Sequence, residues 1–188
     1  MQEKKVIIRK AKSSDAPLLA QVVADAIGVA YATMYCGPDY IPTLTAVATL
    51  PGTQYSFRHA LLAEVDGIPV GAVIGYDGAL LPQLREETLR VIAAETGLIH
   101  FPIGDETSVG EYYVDSLAVL PHYRGMGIGQ KLLLAAMQNA KAEGHRRVGL
   151  LVDPENPRAE QLYRSLGVEH VDERPFVGFM MQHMQCEM

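Results

Sequence analysis

The sequence predicts an α/β fold in which a mixed central sheet is flanked by helices. Three observations carry that expectation. The second half alternates strand, loop, helix, strand, helix, strand, the order that builds sheets with helices on their faces. The first half holds an apolar hairpin signal, "HALLAEVDGIPVGAVIGYDG", with Asp66-Gly67 at its turn. The stretch "APLLAQVVADAIGVAY" has apolar residues at helical spacing. The chain has 188 residues, 48% of them hydrophobic and 20% charged, ordinary figures for a globular protein. One domain over residues 1–188 is expected, with an inserted helical segment at about 77–108.

In chain order, "KKVIIRKA" reads as a first strand. Ser13 or Ser14 is expected to cap the next helix, with Asp15 and Pro17 in its first turn. Prolines and glycines over residues 37–53 predict loops and a short helix. The hairpin follows. "PQLREETLRVIAAETG" predicts a helix over 82–97, Pro at its start and Gly at its end, with Leu84, Leu89 and Ile92 available for packing. "EYYVDSLAVL" is a strand that ends at Pro121, and a glycine loop and long helix come next. "RRVGLLVDP" is a strand. Asn156 then opens a helix with Pro157 in its first turn, and Gly167 closes it. "VEHVDERPFVGFMMQHM" supplies one or two more strands, the Met-rich end reading as a buried last strand. "HRRV" reads as a solvated helix end that complements the dipole.

Composition narrows the function classes. A net charge of −6 argues against broad nucleic-acid or anionic-membrane binding. No apolar run approaches the roughly 20 residues that span a bilayer. The polar, then strand-like start has no secretory apolar core. Cys36 and Cys186 have neither metal-ligand spacing nor a disulfide framework, so a reduced cytoplasmic setting is the default expectation. His59, His100, His122, His145, His170 and His183 show no ligand spacing, and no metal is expected.

The most informative stretch is "HYRGMGIGQKLLLAAMQNAKAEG". Gly125, Gly127 and Gly129 alternate and run directly into a helix beside Arg124. Glycine at a helix entrance lets a backbone approach a ligand, and the helix start offers free N–H groups and partial positive charge. Together these form an anion site suited to phosphate. Neither common phosphate fingerprint fits. The dinucleotide pattern needs glycine where Gln130 stands, and the P-loop needs Ser or Thr after its lysine, where Leu132 follows Lys131.

Arg124-x-x-Gly127-x-Gly129 resembles the Q/R-x-x-G-x-G/A acyl-CoA loop of the GNAT N-acetyltransferase superfamily. "NPRAEQLYRSLGV" is similar to that family's N-x-x-A-x-x-L-Y-x-x-x-G-F, with Asn156, Ala159, Leu162, Tyr163 and Gly167 in place and Val168 where Phe is common. The likeness is good over residues 111–167, loose over the first strand, helix and hairpin, and slight over 38–53 and 77–108. It implies acetyl-CoA as cosubstrate. The pyrophosphate would lie on Gly125, Met126, Gly127, Ile128, Gly129 and Gln130, and the pantetheine arm against Leu117, Ala118 and Val119. Asn156 would be an N-cap that also contacts CoA, and Tyr163 would stand near the sulfur.

Moving an acetyl group from thioester to amine requires an amine stripped of a proton, donors for the oxyanion and a proton for the thiolate. Tyr163 is the candidate acid by resemblance; its spacing alone also suits a core tyrosine. Glu111 and Asp115 are the candidate bases. They share a strand face with Tyr113 if no bulge intervenes, and each also reads as a solvated carboxylate. The acceptor is expected to be an amine-bearing small molecule or peptide, with no nucleic acid or membrane partner. The segment 77–108 is expected to cover part of the acceptor cleft, where Asp105 and Glu106 would draw in a cation; a structural helix or a homodimer contact are its alternatives. A catalytically inactive acyl-CoA-binding module and a cofactor-free partner-binding domain are the competing functions.

Overall fold

The computed structural model describes residues 5–99 and 103–188. Its strands are β1 (Val6–Lys10), β2 (Ala60–Val65), β3 (Ile68–Asp77), β4 (Tyr112–Val119), β5 (Arg147–Val152), β6 (Glu169–Phe176) and β7 (Phe179–Glu187). They form one sheet in the order β1-β2-β3-β4-β5-β7-β6. All neighbours are antiparallel except β4 and β5, which run parallel. This is the mixed α/β sheet the sequence predicts.

The helices are α1 (Ala16–Ile27), α2 (Val29–Cys36), α3 (Tyr40–Thr49), α4 (Leu81–Thr96), α5 (Ile128–Ala142) and α6 (Pro157–Arg164). Several expectations are corrected here. The single helix read through "APLLAQVVADAIGVAY" is two, bent by 115° at Gly28. Gly28 has φ 85°, a left-handed value that side chains resist, and it ends α1 where a side chain would have continued it. The stretch 37–53, expected to hold loops and a short helix, contains α3, ten residues long, whose Pro42 sits in the first turn where its missing N–H costs nothing. Neither Ser13 nor Ser14 caps α1. Asp15 instead accepts from the Lys12 N–H at 2.7 Å and pairs with Arg9. The tail is also less buried than expected: Phe179 and Met180 are exposed, and burial begins at His183. His145 stacks edge-on against Tyr112, and Arg147 belongs to β5.

Periodicity decides which helix covers which face. α1, α2, α3 and α4 pack Leu19, Val23, Ala32, Leu44, Val47 and Ile92 against Leu62, Ala72 and Ile74 of the sheet. α5 and α6 pack Ile128, Leu132, Leu133, Ala136 and Tyr163 against Val73, Val114, Val148, Leu150 and Met184. Each fully buried leucine here contributes roughly 1.5–3 kcal/mol relative to exposure. The α4 helix, predicted over 82–97, lies beside α3 with Leu84, Val91 and Ile92 buried, and Leu89 half-buried. His100, within the connection from α4 to β4, lies outside the described residues.

Bulges tune the sheet. The β3–β4 register jumps from Ile74↔Ser116 to Gly75↔Val114, leaving Asp115 as the extra residue. Close strand contact appears at Gly71, where an added Cβ would lie 2.7 Å from the Ala118 carbonyl oxygen and 3.1 Å from the Val119 Cα. Backbone cannot swing aside as a side chain does. Gly71→Ala is therefore expected to destabilise the protein by ~1–3 kcal/mol through overpacking, seen as a lower urea midpoint at unchanged m-value. An unchanged midpoint would show that the end of β4 yields freely.

Candidate active site

The glycine loop folds as a short 3₁₀ turn over Pro121–Tyr123 followed by a left-handed link into α5. Gly125 has φ 78° and Gly127 φ 72°, so both need glycine for conformation alone. No protein atom lies within 4 Å of a Cβ added at either, so the space in front of them is open. Gly127 is the N-cap of α5. The N–H groups of Ile128, Gly129 and Gln130 have no intrahelical acceptor, and no other acceptor for them occurs among the described residues. Met126 is exposed beside them. Gly129 has a different reason: Leu162 of α6 comes within 3.4 Å of its added Cβ. Arg124 turns back on the chain, donating to the Val119 carbonyl at 2.7 Å and meeting Asp25 at 3.4 Å. It thereby ties the loop to the end of β4 and to α1.

The neighbouring strands part company. β4 pairs with β5 only over Tyr112↔Val148, Tyr113↔Gly149 and Val114↔Leu150. Beyond that point β4 runs on through Leu117, Ala118 and Val119 with β3 on one side and no strand on the other. The Asp115 bulge falls at this parting. Side chains from both faces of the sheet flank this parting. On the α5 side stands Tyr163, its ring in the core and its hydroxyl without a hydrogen-bond partner among the described residues. Burial pushes the phenol up to about 12, so it stays protonated at neutral pH and is a donor. Asn156 accepts from the Ala159 N–H at 3.1 Å, an N-cap that fixes α6 and with it Tyr163.

On the α4 side stands Asp115. It accepts from the Tyr76 hydroxyl at 2.6 Å, the Gln54 amide at 2.8 Å and the Ser116 hydroxyl at 2.9 Å. Burial pushes its carboxyl upward against those bonds. Glu106 lies nearby, accepting from Arg85 at 2.7 Å and from the Tyr113 hydroxyl at 3.0 Å. Burial, and then the charge of Asp115, drive Glu106 upward as well. α4 braces both acids: Arg85 holds Glu106, and the Thr88 hydroxyl holds the Gln54 N–H at 2.8 Å. Asp105, in contrast, is exposed and only 3.6 Å from Arg85.

Glu111 shares this face but has different surroundings. Oε1 accepts from the Thr107 hydroxyl at 2.5 Å and the Ser108 N–H at 3.0 Å, and Oε2 meets His183 at 3.1 Å and Gln185. Burial raises its carboxyl, but His183, Thr107 and Gln185 outweigh burial and bring it down to about 2. The other ring nitrogen of His183 meets Asp172 at 2.9 Å. Glu111 therefore fastens the start of β4 to β7 and, through His183, to β6. Gln54, Tyr76, Arg85, Asp172 and His183 carried no local sequence signal. Their roles come from pairings across 11 to 72 positions of chain.

A mixed sheet with a parted strand pair and a phosphate-ready helix start is the frame of an acyl-transferring enzyme. The model of the acetyltransferase (GNAT) family matches residues 37–168, and the chain belongs to that family. A crystal structure described as an acetyltransferase is 32% identical, with a TM-score of 0.80, covering 96% of this chain and 98% of that one. Mycothiol acetyltransferase of Kocuria rhizophila is 36% identical over 97 residues, half of this chain and 31% of that protein. The chain spans less than two thirds of the length of the curated relatives it matches. The PaiA N-acetyltransferase of Thermoplasma acidophilum, solved in complex with coenzyme A, shares the fold at a TM-score of 0.60 and 18% identity, covering 98% of this chain and 99% of that one. No single helix among the described residues is long and apolar enough to cross a membrane.

The Glu111 carboxylate gives a prediction with a definite sign. Its folded-state value lies below the unfolded one, so it stabilises the protein above about pH 4.5 and loses that contribution as pH falls toward 2. Glu111→Gln is expected to cost about 3 kcal/mol at pH 7. The gap from wild type should narrow in denaturant titrations below pH 4. A gap that stays constant with pH would show the loss to be packing alone.

Proposed function

We propose that the protein transfers an acetyl group from acetyl-CoA to a primary amine. The observation that carries this reading is the row of unpartnered N–H groups at the start of α5, beside a strand whose outer edge is unpaired. Acetyl-CoA supplies an acetyl thioester; transfer forms a C–N bond, breaks the C–S bond and returns a proton to sulfur. Residues 125–130 suit the pyrophosphate: the N–H groups of Ile128, Gly129 and Gln130 point outward and the space before Gly125 and Gly127 is clear. The free edge of Leu117, Ala118 and Val119 suits a pantetheine arm. The CoA complex of a protein with this fold supports the same cosubstrate. Arg124 shapes the loop through Val119 and Asp25, and Asn156 acts through the cap of α6.

Two faces give two roles. Asp115 lies on the α4 side of the gap, and burial raises its carboxyl, which makes it a better proton acceptor. It is the base in this reading, in preference to Glu111, whose four acceptor positions are filled. Tyr163 reaches the gap from the α5 side with a free, protonated hydroxyl, and it donates to the leaving thiolate. The amine then enters from one face and the thiolate is met from the other. The buried free cysteines Cys36 and Cys186 suit a reducing, cytoplasmic setting.

The cosubstrate site is tested by Gly127→Glu, which places an anion at the α5 cap. Calorimetry should show CoA affinity reduced at least ~10-fold in a folded protein; unchanged affinity would move the site elsewhere. The acid is tested by Tyr163→Phe, expected to lower kcat by about 10²-fold while CoA still binds. A wild-type kcat, with chemistry shown to be rate-limiting, would remove Tyr163 from the mechanism.

A further inference from the structure

Asp115 and Glu106 together say more than that a base is present. All three donors to Asp115 are neutral: a phenol, an amide and a hydroxyl. Glu106 has one cation, Arg85, held by a single N–H contact to Oε1, because the Tyr113 hydroxyl occupies Oε2. Arg85 is shared with Asp105, and its Nε has no partner. On the rest of this face Glu111 and Asp172 face His183 and Arg174. The carboxylates Asp105, Glu106, Glu111, Asp115 and Asp172 thus outnumber Arg85, Arg174 and His183 even with the histidine charged. The Oε1 of Gln54, buried beside Asp115, is an acceptor with no donor. What this buried cluster is short of is positive charge and N–H donors.

The walls are aromatic. Tyr76 and Tyr113 meet edge to face at 5.9 Å, Tyr31 stacks on Tyr35 at 5.8 Å, and Tyr31 meets Phe176 of β6 at 5.1 Å. Burial first, and the charge of Glu106 among the further causes, push the phenols of Tyr31, Tyr35, Tyr76 and Tyr113 upward, so the rings stay neutral. Neutral ring faces attract organic cations.

Resting on the acetyltransferase reading above, we propose that the acceptor is an organic cation, a primary ammonium on an alkyl or arylalkyl body that bears no α-carboxylate. Its ammonium fits between Asp115, Gln54 Oε1 and Glu106, and its body lies along the tyrosines. A free α-amino acid carries a carboxylate two bonds from its nitrogen. That group would enter a poorly hydrated site beside two acids whose one nearby cation, Arg85, is already shared. Like charges so placed are strongly unfavourable.

The test compares amines with their carboxylated twins: phenethylamine with phenylalanine, tyramine with tyrosine, histamine with histidine. The full chain and acetyl-CoA are used, and thiol release is followed. At least one amine should exceed its amino acid in kcat/KM by ~10-fold or more. Glu106→Gln, which keeps the shape and removes the charge, should shrink that ratio toward one and raise the KM for the amine, leaving the KM for acetyl-CoA unchanged. Thermal melting and acetyl-CoA calorimetry check that the variant is folded. If the variant fails that check, the ratio of wild type alone decides. Equal rates, or a preference for the amino acid, overturn the proposal. So does an absence of turnover on all three amines when acetyl-CoA still binds. Failure of acetyl-CoA to bind would instead overturn the cosubstrate reading.

Discussion

The parting of β4 from β5 after Val114↔Leu150 is the constraint on which the rest of the site depends. A continuous sheet would have satisfied the outer edge of β4 with ladder hydrogen bonds and sealed one face from the other. The break leaves Leu117 to Val119 with an edge that no strand pairs. It also explains why a bulge falls at Asp115. The extra residue lets β4 keep its register with β3 while swinging away from β5.

The two sides of the parting are held by different means. On the α5 side the device is apolar packing, with Tyr163 embedded among Leu132, Leu133 and Val152 and α6 set by its Asn156 cap. On the α4 side it is a polar network in which Arg85 and Thr88 reach the acids directly or through Gln54. Such buried networks hold a single arrangement when most members are satisfied. Gln54 Oε1 and Arg85 Nε are exceptions, and both lie next to the acids.

The segment between β3 and β4 has a use that its composition did not disclose. Expected to cover part of the acceptor cleft, or else to be a structural helix or a dimer contact, it packs α4 along α3 and carries Arg85, Thr88 and Glu106, which bond one another and Gln54. Of the two acids expected to draw in a cation, Glu106 is buried and paired, and Asp105 is left at the surface.

The sequence by itself determined the sheet-and-helix alternation, the Asp66-Gly67 hairpin, the glycine entrance to α5 and the Asn156 cap. Each rests on local physics: period, turn chemistry, positive φ and a side chain that caps its own helix. Glu111 and Tyr113 were also legible as one strand face, because they precede the bulge, which is Asp115 itself. Tertiary structure alone decided how those carboxylates differ. Glu111 meets Thr107, Gln185 and His183 and is held near 2, whereas Asp115 meets only neutral donors and is raised. A carboxyl's acidity is set by the donors and the depth around it, and here those come from strands and helices far apart in the chain.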